Sequence, residues 1–499
     1  MPGFARSGRG VGGGVDIDEV QRRAKSGPRA LFARRAFAVC VGIISTVLIP
    51  HLVPPREYGL ATMSVVLFGL ADMFKDVGLT SALLRKGEIR PDEVTFLFWF
   101  NGAMTLVLAV FLAVAAPLTA LYFRQPQVTL VMLVSLIGFI ADGLSLQHRS
   151  VMTRDLRFQT LASVDSGVTL LQFAVTLLVA AAAHNVWAIV AGYVFAKAFG
   201  AHLTMVASKW RPGPPKWLPE ARPLFVFGAN VLAYNLSIFV SLNIAAVLIG
   251  RYFGPDELGQ YNRASALQVL PLLNFVAPLA EATLPVLAKF RPRPDLYRQA
   301  YLALVRNLNI VVWPAAAVVF FTARPLVTLI LGPRWAEAGR LLQALAPLVA
   351  TPGLGYAAND LFITQNRSAE LRTLGFVELA FRVVGVWAAL PFGVVGVAAA
   401  YSATTMVVVV VRIAVAGRTG PVSLKDHIAA IAPAAPLAIG ALAGCWLGAG
   451  AAEKLMLSLP PAAALCLGGG AAGCLLALAS GTSRRGLSEL AAALRGRNG

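Results

Sequence analysis

Four cationic side chains fall inside otherwise apolar stretches: Lys75, Lys197, Arg263 and Arg382. A charge at mid-bilayer costs about 2.5–3.5 kcal/mol on insertion scales, so such residues face a cavity or one another and mark substrate or ion paths. Lys197 has no acid three or four positions away. Its ammonium reads either as a point charge for a phosphate or as one half of a cross-helix pair with Asp142 or Asp165. Asp72, Lys75 and Asp76 lie at i, i+3 and i+4, close enough on one helical face to interact. They form either a self-neutralising cluster or a proton- or sodium-responsive acid pair beside a substrate-facing lysine. Glu378 and Arg382 have the i, i+4 polarity of a local ion pair. Arg263 and Glu281 have no local partner; Arg263 points to the cavity or snorkels to headgroups.

Other candidates are polar or mechanical. Asn230, Tyr234, Ser237 and Ser241 make a stripe at helical spacing that suits a cavity or a helix interface better than lipid. Pro271, Pro278 and Pro285 recur every seven residues, which predicts a curved helix, either static or bending as a gate. The substrate-binding expectation is therefore Lys75, Lys197, Arg263, Arg382, Asn230 and Ser237. Asp72, Asp76 and Glu281 are the coupling acids, and the three prolines form the gate. No Walker loop, nucleophile elbow or metal-ligand cluster is present, so no enzyme, cofactor or metal is expected. The four cysteines, Cys40, Cys445, Cys466 and Cys474, lack metal spacing and read as buried apolar residues.

The elements that must hold these residues are set by composition. The 499 residues are 57% hydrophobic and 13% charged, against about 25% charged in soluble domains. Mean hydropathy is +0.70, and lipid is the solvent it implies. A nucleic-acid partner is excluded, because the net charge of +19 has too little polar surface to sit on. A span needs about 20 apolar residues, and the chain offers about fourteen such segments. Breaks between them are short, such as Pro54-Pro55-Arg56-Glu57 and Arg291-Pro292-Arg293-Pro294. Alternating sides across these spans puts 32 of the 43 Lys and Arg on one side and 7 on the other. That is the positive-inside pattern, and it predicts both termini in the cytoplasm. The pair Arg34-Arg35 flanks the first span, and no small-residue cleavage site follows it.

The chain also repeats itself. Pro55-Arg56-Glu57-Tyr58-Gly59 is echoed two hundred residues later by Pro255-Asp256-Glu257-Leu258-Gly259. At an offset of 208, Pro117-Leu118 answers Pro325-Leu326 and Tyr193 answers Tyr401. Six helices per copy give both copies the same orientation, as in parallel transporter repeats. The expected architecture is all-α. A basic tail (1–35) precedes a six-helix lobe (36–208), a linker (209–222) and a second six-helix lobe (223–418). Two extra spans (427–480) and a basic tail (481–499) follow. Gly440, Gly444 and Gly448 predict close packing, against the last span or another subunit.

The stretches Val53–Ala61, Phe74–Arg85 and Leu248–Tyr261 resemble signatures of Wzx-type bacterial polysaccharide flippases of the multidrug/oligosaccharidyl-lipid/polysaccharide exporter superfamily. One departure is the pair Ala245-Ala246, where relatives often carry Asp-Asn. The resemblance implies an inner-membrane flippase moving an undecaprenyl-pyrophosphate-linked oligosaccharide outward, with membrane lipids, a polysaccharide polymerase and chain-length proteins as partners. A cation- or drug-exporting antiporter is the alternative within transport. A scaffold or transferase of polysaccharide assembly is the alternative outside it.

Overall fold

The computed structural model describes residue 37, residues 39–76, 91–215, 222–271, 276, 283, 287–365, 367–419, 421–455 and 458–478. The described residues are helical with short breaks. Helix α1 is Val39–Leu52. The first copy continues with α2 (Pro55–Asp76), α3 (Pro91–Phe123), α4 (Gln127–Arg154), α5 (Phe158–Ala183) and α6 (Trp187–Ser208). The second copy comprises α7 (Arg222–Tyr252), α8 (Pro255–Pro271), α9 (Pro294–Leu331), α10 (Ala336–Leu345), α11 (Pro352–Thr364), α12 (Ser368–Ala388) and α13 (Gly393–Thr419). A short helix α14 (Leu424–Ile431) leads to α15 (Ala434–Lys454) and α16 (Leu459–Ala477).

Among the described residues, ten helices are long and apolar enough to cross a membrane, or eleven when the segments bent by 42° at Thr351 count as one span. This is a multi-pass membrane protein. The expected count of fourteen is not reached on length and composition among the described residues. Helix α1 is short, α8 is polar and has 17 residues, and α12 carries Glu370, Arg372, Glu378 and Arg382. Helices α1 and α12 nonetheless lie within expected spans, and α8 leads into the segment of the three prolines, most of which lies outside the described residues.

The repeat motif has a local cause. Both α2 and α8 open on proline with acids in the first turn, Glu57 in one and Asp256 and Glu257 in the other. Proline's missing N–H costs nothing there and the acids meet the positive end of the helix. Pro117 and Pro325 lie inside α3 and α9, six residues before the ends at Phe123 and Leu331. The internal offset of 208 is therefore kept by the helix termini themselves.

Loops expected on one side of the membrane meet at one end of the molecule, here termed the proline end. Glu57 accepts from the Val186 amide at 2.8 Å, Trp335 donates to the Pro50 carbonyl at 3.0 Å, and Arg251 lies over the Tyr122 ring. Gln260 bridges the Arg334 carbonyl and the Ala338 amide. One apolar cluster joins both copies at this end, with Tyr58, Leu258, Tyr261, Trp335 and Val397 all buried. At the opposite, basic end, Trp99 donates to the Gly213 carbonyl and Arg298 forks onto Asp426. Helix α9 has 38 residues. That is about 57 Å at 1.5 Å per residue, so it overshoots a hydrocarbon core of about 30 Å. Its basic-end turns hold Tyr297 against Thr364 and Tyr301 against His427.

Candidate functional site

Acidic Asp142, on α4, is the hub of the first copy. Its Oδ1 receives Lys197 of α6 at 2.8 Å and its Oδ2 receives Lys75 of α2 at 3.2 Å. Lys75 is only 3% exposed. It is held further by Asp72 at 2.7 Å, by the Phe139 carbonyl at 3.2 Å and by the Phe139 ring. Every face of that ammonium is engaged, as a buried charge requires. Lys197 is 38% exposed on its side chain and lines a cavity of about 230 Å³ with Asp142, Tyr193, Arg149 and Asp165. Of the two readings of Lys197, the structure shows the pair with Asp142; its exposed side remains open to the cavity. Asp165 is taken instead by Arg149, in a two-pronged pair with both bonds at 2.7 Å.

The second copy is arranged differently. Glu378 does not pair with Arg382, as the i, i+4 spacing predicted. It pairs with Arg412 of α13, whose Nε reaches it at 2.8 Å and whose Nη1 donates to Asn359 at 2.6 Å. The Arg412 fork meets the Glu378 carboxylate and reaches Asn359 as well, so the cross-helix pair satisfies several donors at once. Arg382 is left 8% exposed, with Nη2 donating to Thr405 at 3.2 Å and its plane over Tyr401. Its Nε has no hydrogen-bond partner among the described residues. Arg263 likewise lies 4.1 Å over the Tyr58 ring of the other copy, with Nε unpartnered among the described residues. Of its two readings the structure favours the cavity, for it lines one of about 270 Å³. The structure thus pairs the first copy's lysines with acids and leaves these two arginines of the second on aromatic faces.

The remaining candidates scatter. Ser237 and Ser241 are buried on α7, away from both cavities. The side chains of Asp76, Asn230, Tyr234 and Pro271, and the whole of Pro278, Glu281 and Pro285, lie outside the described residues, as do the tails 1–35 and 481–499. Cys40 is exposed on α1, unlike the buried Cys445 and Cys466. No group of three or more His, Cys, Asp or Glu among the described residues could hold a metal ion.

Sequence reasoning undervalued three acids. Asp142 was weighed only as a partner for Lys197, although an acid in an apolar segment is itself a signal. Asp165 stands in the sequence only as an alternative partner for Lys197, and its pair with Arg149 carries no signal there. Asp360, in α11, was not singled out; it is 8% exposed and its Oδ2 has no hydrogen-bond partner among the described residues.

Comparison with known proteins follows the same lines. The lipopolysaccharide biosynthesis protein WzxC of Escherichia coli (strain K12) is 22% identical over 329 residues, covering 66% of this chain and 67% of its own. The teichuronic acid biosynthesis protein TuaB of Bacillus subtilis (strain 168) is 24% identical over 278 residues, covering 55% of this chain and 58% of its own. The chain thus matches 58–67% of the length of these relatives. Among solved structures, the lipid II flippase MurJ in an inward closed conformation superposes with a TM-score of 0.70. It is 12% identical and the match covers 90% of this chain and 97% of that one, a likeness of fold. A family model described as polysaccharide biosynthesis protein matches residues 48–340. The chain belongs to that family of polysaccharide biosynthesis proteins.

Proposed function

We propose that this protein moves a lipid-linked oligosaccharide from the cytoplasmic to the periplasmic leaflet of a bacterial inner membrane. The observation that carries this reading is the charged, hollow interior of the first copy. Cavities with Lys197, Arg149 and Arg263 in their walls lie within a family of polysaccharide biosynthesis proteins. The basic end is the cytoplasmic one and both termini lie there, because 32 of 43 basic residues fall on that side. The proline end is then periplasmic and its seam is closed.

The diphosphate of the substrate is received by the cations with spare capacity. Lys197 has one face free and Arg263 and Arg382 have no acid partner among the described residues. Lys75 is saturated, so its role passes to positioning Asp142. An arriving anion draws Lys197 away while Lys75 keeps Asp142 neutralised, and this exchange costs less than exposing a bare carboxylate. Asp72, tied to Asp142 through Lys75, remains a coupling candidate beside Asp76 and Glu281. The two lobes, residues 36–208 and 223–418, then rock about the proline-end seam, exposing the cavity to alternate sides. A polysaccharide polymerase and chain-length proteins are the expected neighbours downstream.

The antiporter alternative calls for acids in excess along the cavity. The described walls carry as many bases as acids around Lys197, and Arg263 without an acid. The decisive test is the leaflet sidedness of labelled lipid-linked oligosaccharide in cells depleted of the protein and lacking a redundant transporter. Accumulation on the cytoplasmic side is expected; unchanged periplasmic appearance overturns the proposal.

A further inference from the structure

Four polar side chains of α5 share one face. Asp165, Thr169, Gln172 and Thr176 follow each other at spacings of four, three and four, which stacks them along the helix. The most apolar window of this helix has a mean hydropathy of 1.9, and a polar face on it is costly against lipid. The structure places that face on two cavities. One, of about 270 Å³, has Thr169, Gln172 and Thr176 in its wall together with Thr46, Tyr58 and Arg263. The other, of about 230 Å³, has Asp165 and Gln172 together with Arg149, Tyr193 and Lys197. Gln172 borders both, so the stripe links the Lys197 cavity to the arginine contributed by the opposite copy. Two other cavities, beside α15 and α16, have almost wholly apolar walls.

The hydrogen-bonding state of the walls narrows the ligand. Thr46, Thr169 and Thr204 donate to the carbonyls of Gly42, Asp165 and Gly200 on their own helices. Their hydroxyl oxygens are left as acceptors. Lys197, Arg149 and Arg263 are donors only. The Gln172 side chain makes no hydrogen bond among the described residues, so it offers two donors and an acceptor where the cavities join. Walls that alternate spare acceptors with spare donors suit a ligand whose closely spaced groups both donate and accept. Saccharide hydroxyls have that character; an isoprenoid chain or a simple cation does not.

We propose that the α5 stripe is the saccharide track of the transporter, with Gln172 and Thr169 as specificity-determining contacts to sugar hydroxyls. This rests on the reading that the protein moves a lipid-linked oligosaccharide, and it adds where the sugar is held. The reducing-end phosphates stay with Lys197, and successive sugars lie along α5 toward Arg263.

The test uses the purified full chain in proteoliposomes with two fluorescent probes, a polyprenyl pyrophosphate carrying one hexose and the same lipid carrying four. Gln172→Leu and Thr169→Val remove hydrogen-bonding groups at nearly constant volume. Expected is a loss of about tenfold for the four-hexose lipid and less than about twofold for the one-hexose lipid, since an unmatched buried hydroxyl is penalised selectively. Gln172→Asn, which keeps the amide, is expected to restore part of the loss. Equal losses on both probes would assign the stripe to packing or to the phosphates, and no loss on either would remove it from the substrate path; each overturns the inference while leaving the transport reading intact. Wild-type protein that moves neither probe overturns the transport reading itself, and the saccharide track falls with it.

Discussion

Gly59 and Gly259 stand in reciprocal contact. A Cβ on Gly59 would lie 1.7 Å from the Pro255 carbonyl oxygen, and one on Gly259 would lie 1.8 Å from that of Pro55. The two positions are counterparts in the internal repeat, so the pseudo-twofold axis passes between them. Only residues without a side chain let the helix starts of α2 and α8 approach so closely. Tyr58 and Trp335, edge to face at 5.4 Å, pack in the same seam.

Gly59→Ala or Gly259→Ala is expected to hold this seam apart. Backbone lies on the receiving side and cannot yield as a side chain would, so closure should be penalised by about 1–3 kcal/mol, the usual cost of overpacking. Transport should fall about 5- to 150-fold at normal membrane abundance, and a cysteine probe at the proline end should become more reactive. Because both changes wedge one seam, the double variant should lose less than the sum of the two. Wild-type transport in either single variant would show that the seam does not close during the cycle.

Lys75 and Lys197 share Asp142 but are expected to fail differently. Removing buried Lys75 leaves Asp72 and Asp142 side by side without their common cation, so Lys75→Met should destabilise by about 3–5 kcal/mol and lower membrane abundance. Lys197→Ala should leave abundance normal and reduce transport, because Lys75 still neutralises Asp142. Quantitative membrane blots beside a leaflet assay separate the two. Asp76→Asn is expected to impair transport without loss of abundance if its carboxyl takes part in coupling.

Acid stability should report on α14. Arg298 forks onto Asp426, and the Ser423 amide and hydroxyl complete a capping box there. Hydrogen bonding from Arg298, and then from the Ser423 amide, holds the Asp426 carboxyl well below the ordinary carboxylate range. A depressed native pKa gives stability that is complete above the unfolded value of about 3.9 and is lost as pH falls below it toward the native one. Thermal unfolding in detergent should therefore show no Asp426 contribution to slope between pH 7 and 5. Below about pH 4 the wild type should lose stability faster than Asp426→Asn. Ser423→Ala should cost about 1 kcal/mol at neutral pH.

The glycines of α15 make a further test. A Cβ at Gly444 would stand 1.9 Å from the Gly469 carbonyl, and one at Gly440 2.3 Å from that of Gly473. Gly444→Val should separate α15 from α16 at a cost of about 1–3 kcal/mol, read as a lower melting temperature. Gly450→Val, at a position where a Cβ would meet nothing within 4 Å, is the control and should melt near the wild type.

Much of the architecture was legible because a bilayer imposes a one-dimensional code. Apolar runs and proline-led breaks are local properties, and among the described residues they matched helices at most of the expected segments. The repeat was legible for a similar reason: helix starts such as Pro55 and Pro255 and in-helix prolines such as Pro117 and Pro325 leave marks in the chain itself. The small-residue spacing of Gly440, Gly444 and Gly448 announced close packing. Its partner, α16, was chosen only by the fold.

What tertiary structure decided was which charge meets which. Along one helix each residue has few neighbours, at i±3 and i±4, and that rule proposed Glu378 with Arg382. In the folded bundle Arg412 arrives from α13 with a fork of donors, and the local pairing loses. Asp142 gathers Lys75 and Lys197 from two other helices, a relation with no signature in spacing because it depends on helix rotation and depth. The same holds for Arg263, which spacing could leave at the headgroups and the fold carries across the seam to Tyr58. Chain order set the inventory of intramembrane charges; the rotation of each helix about its axis decided which are neutralised and which remain available to an anion.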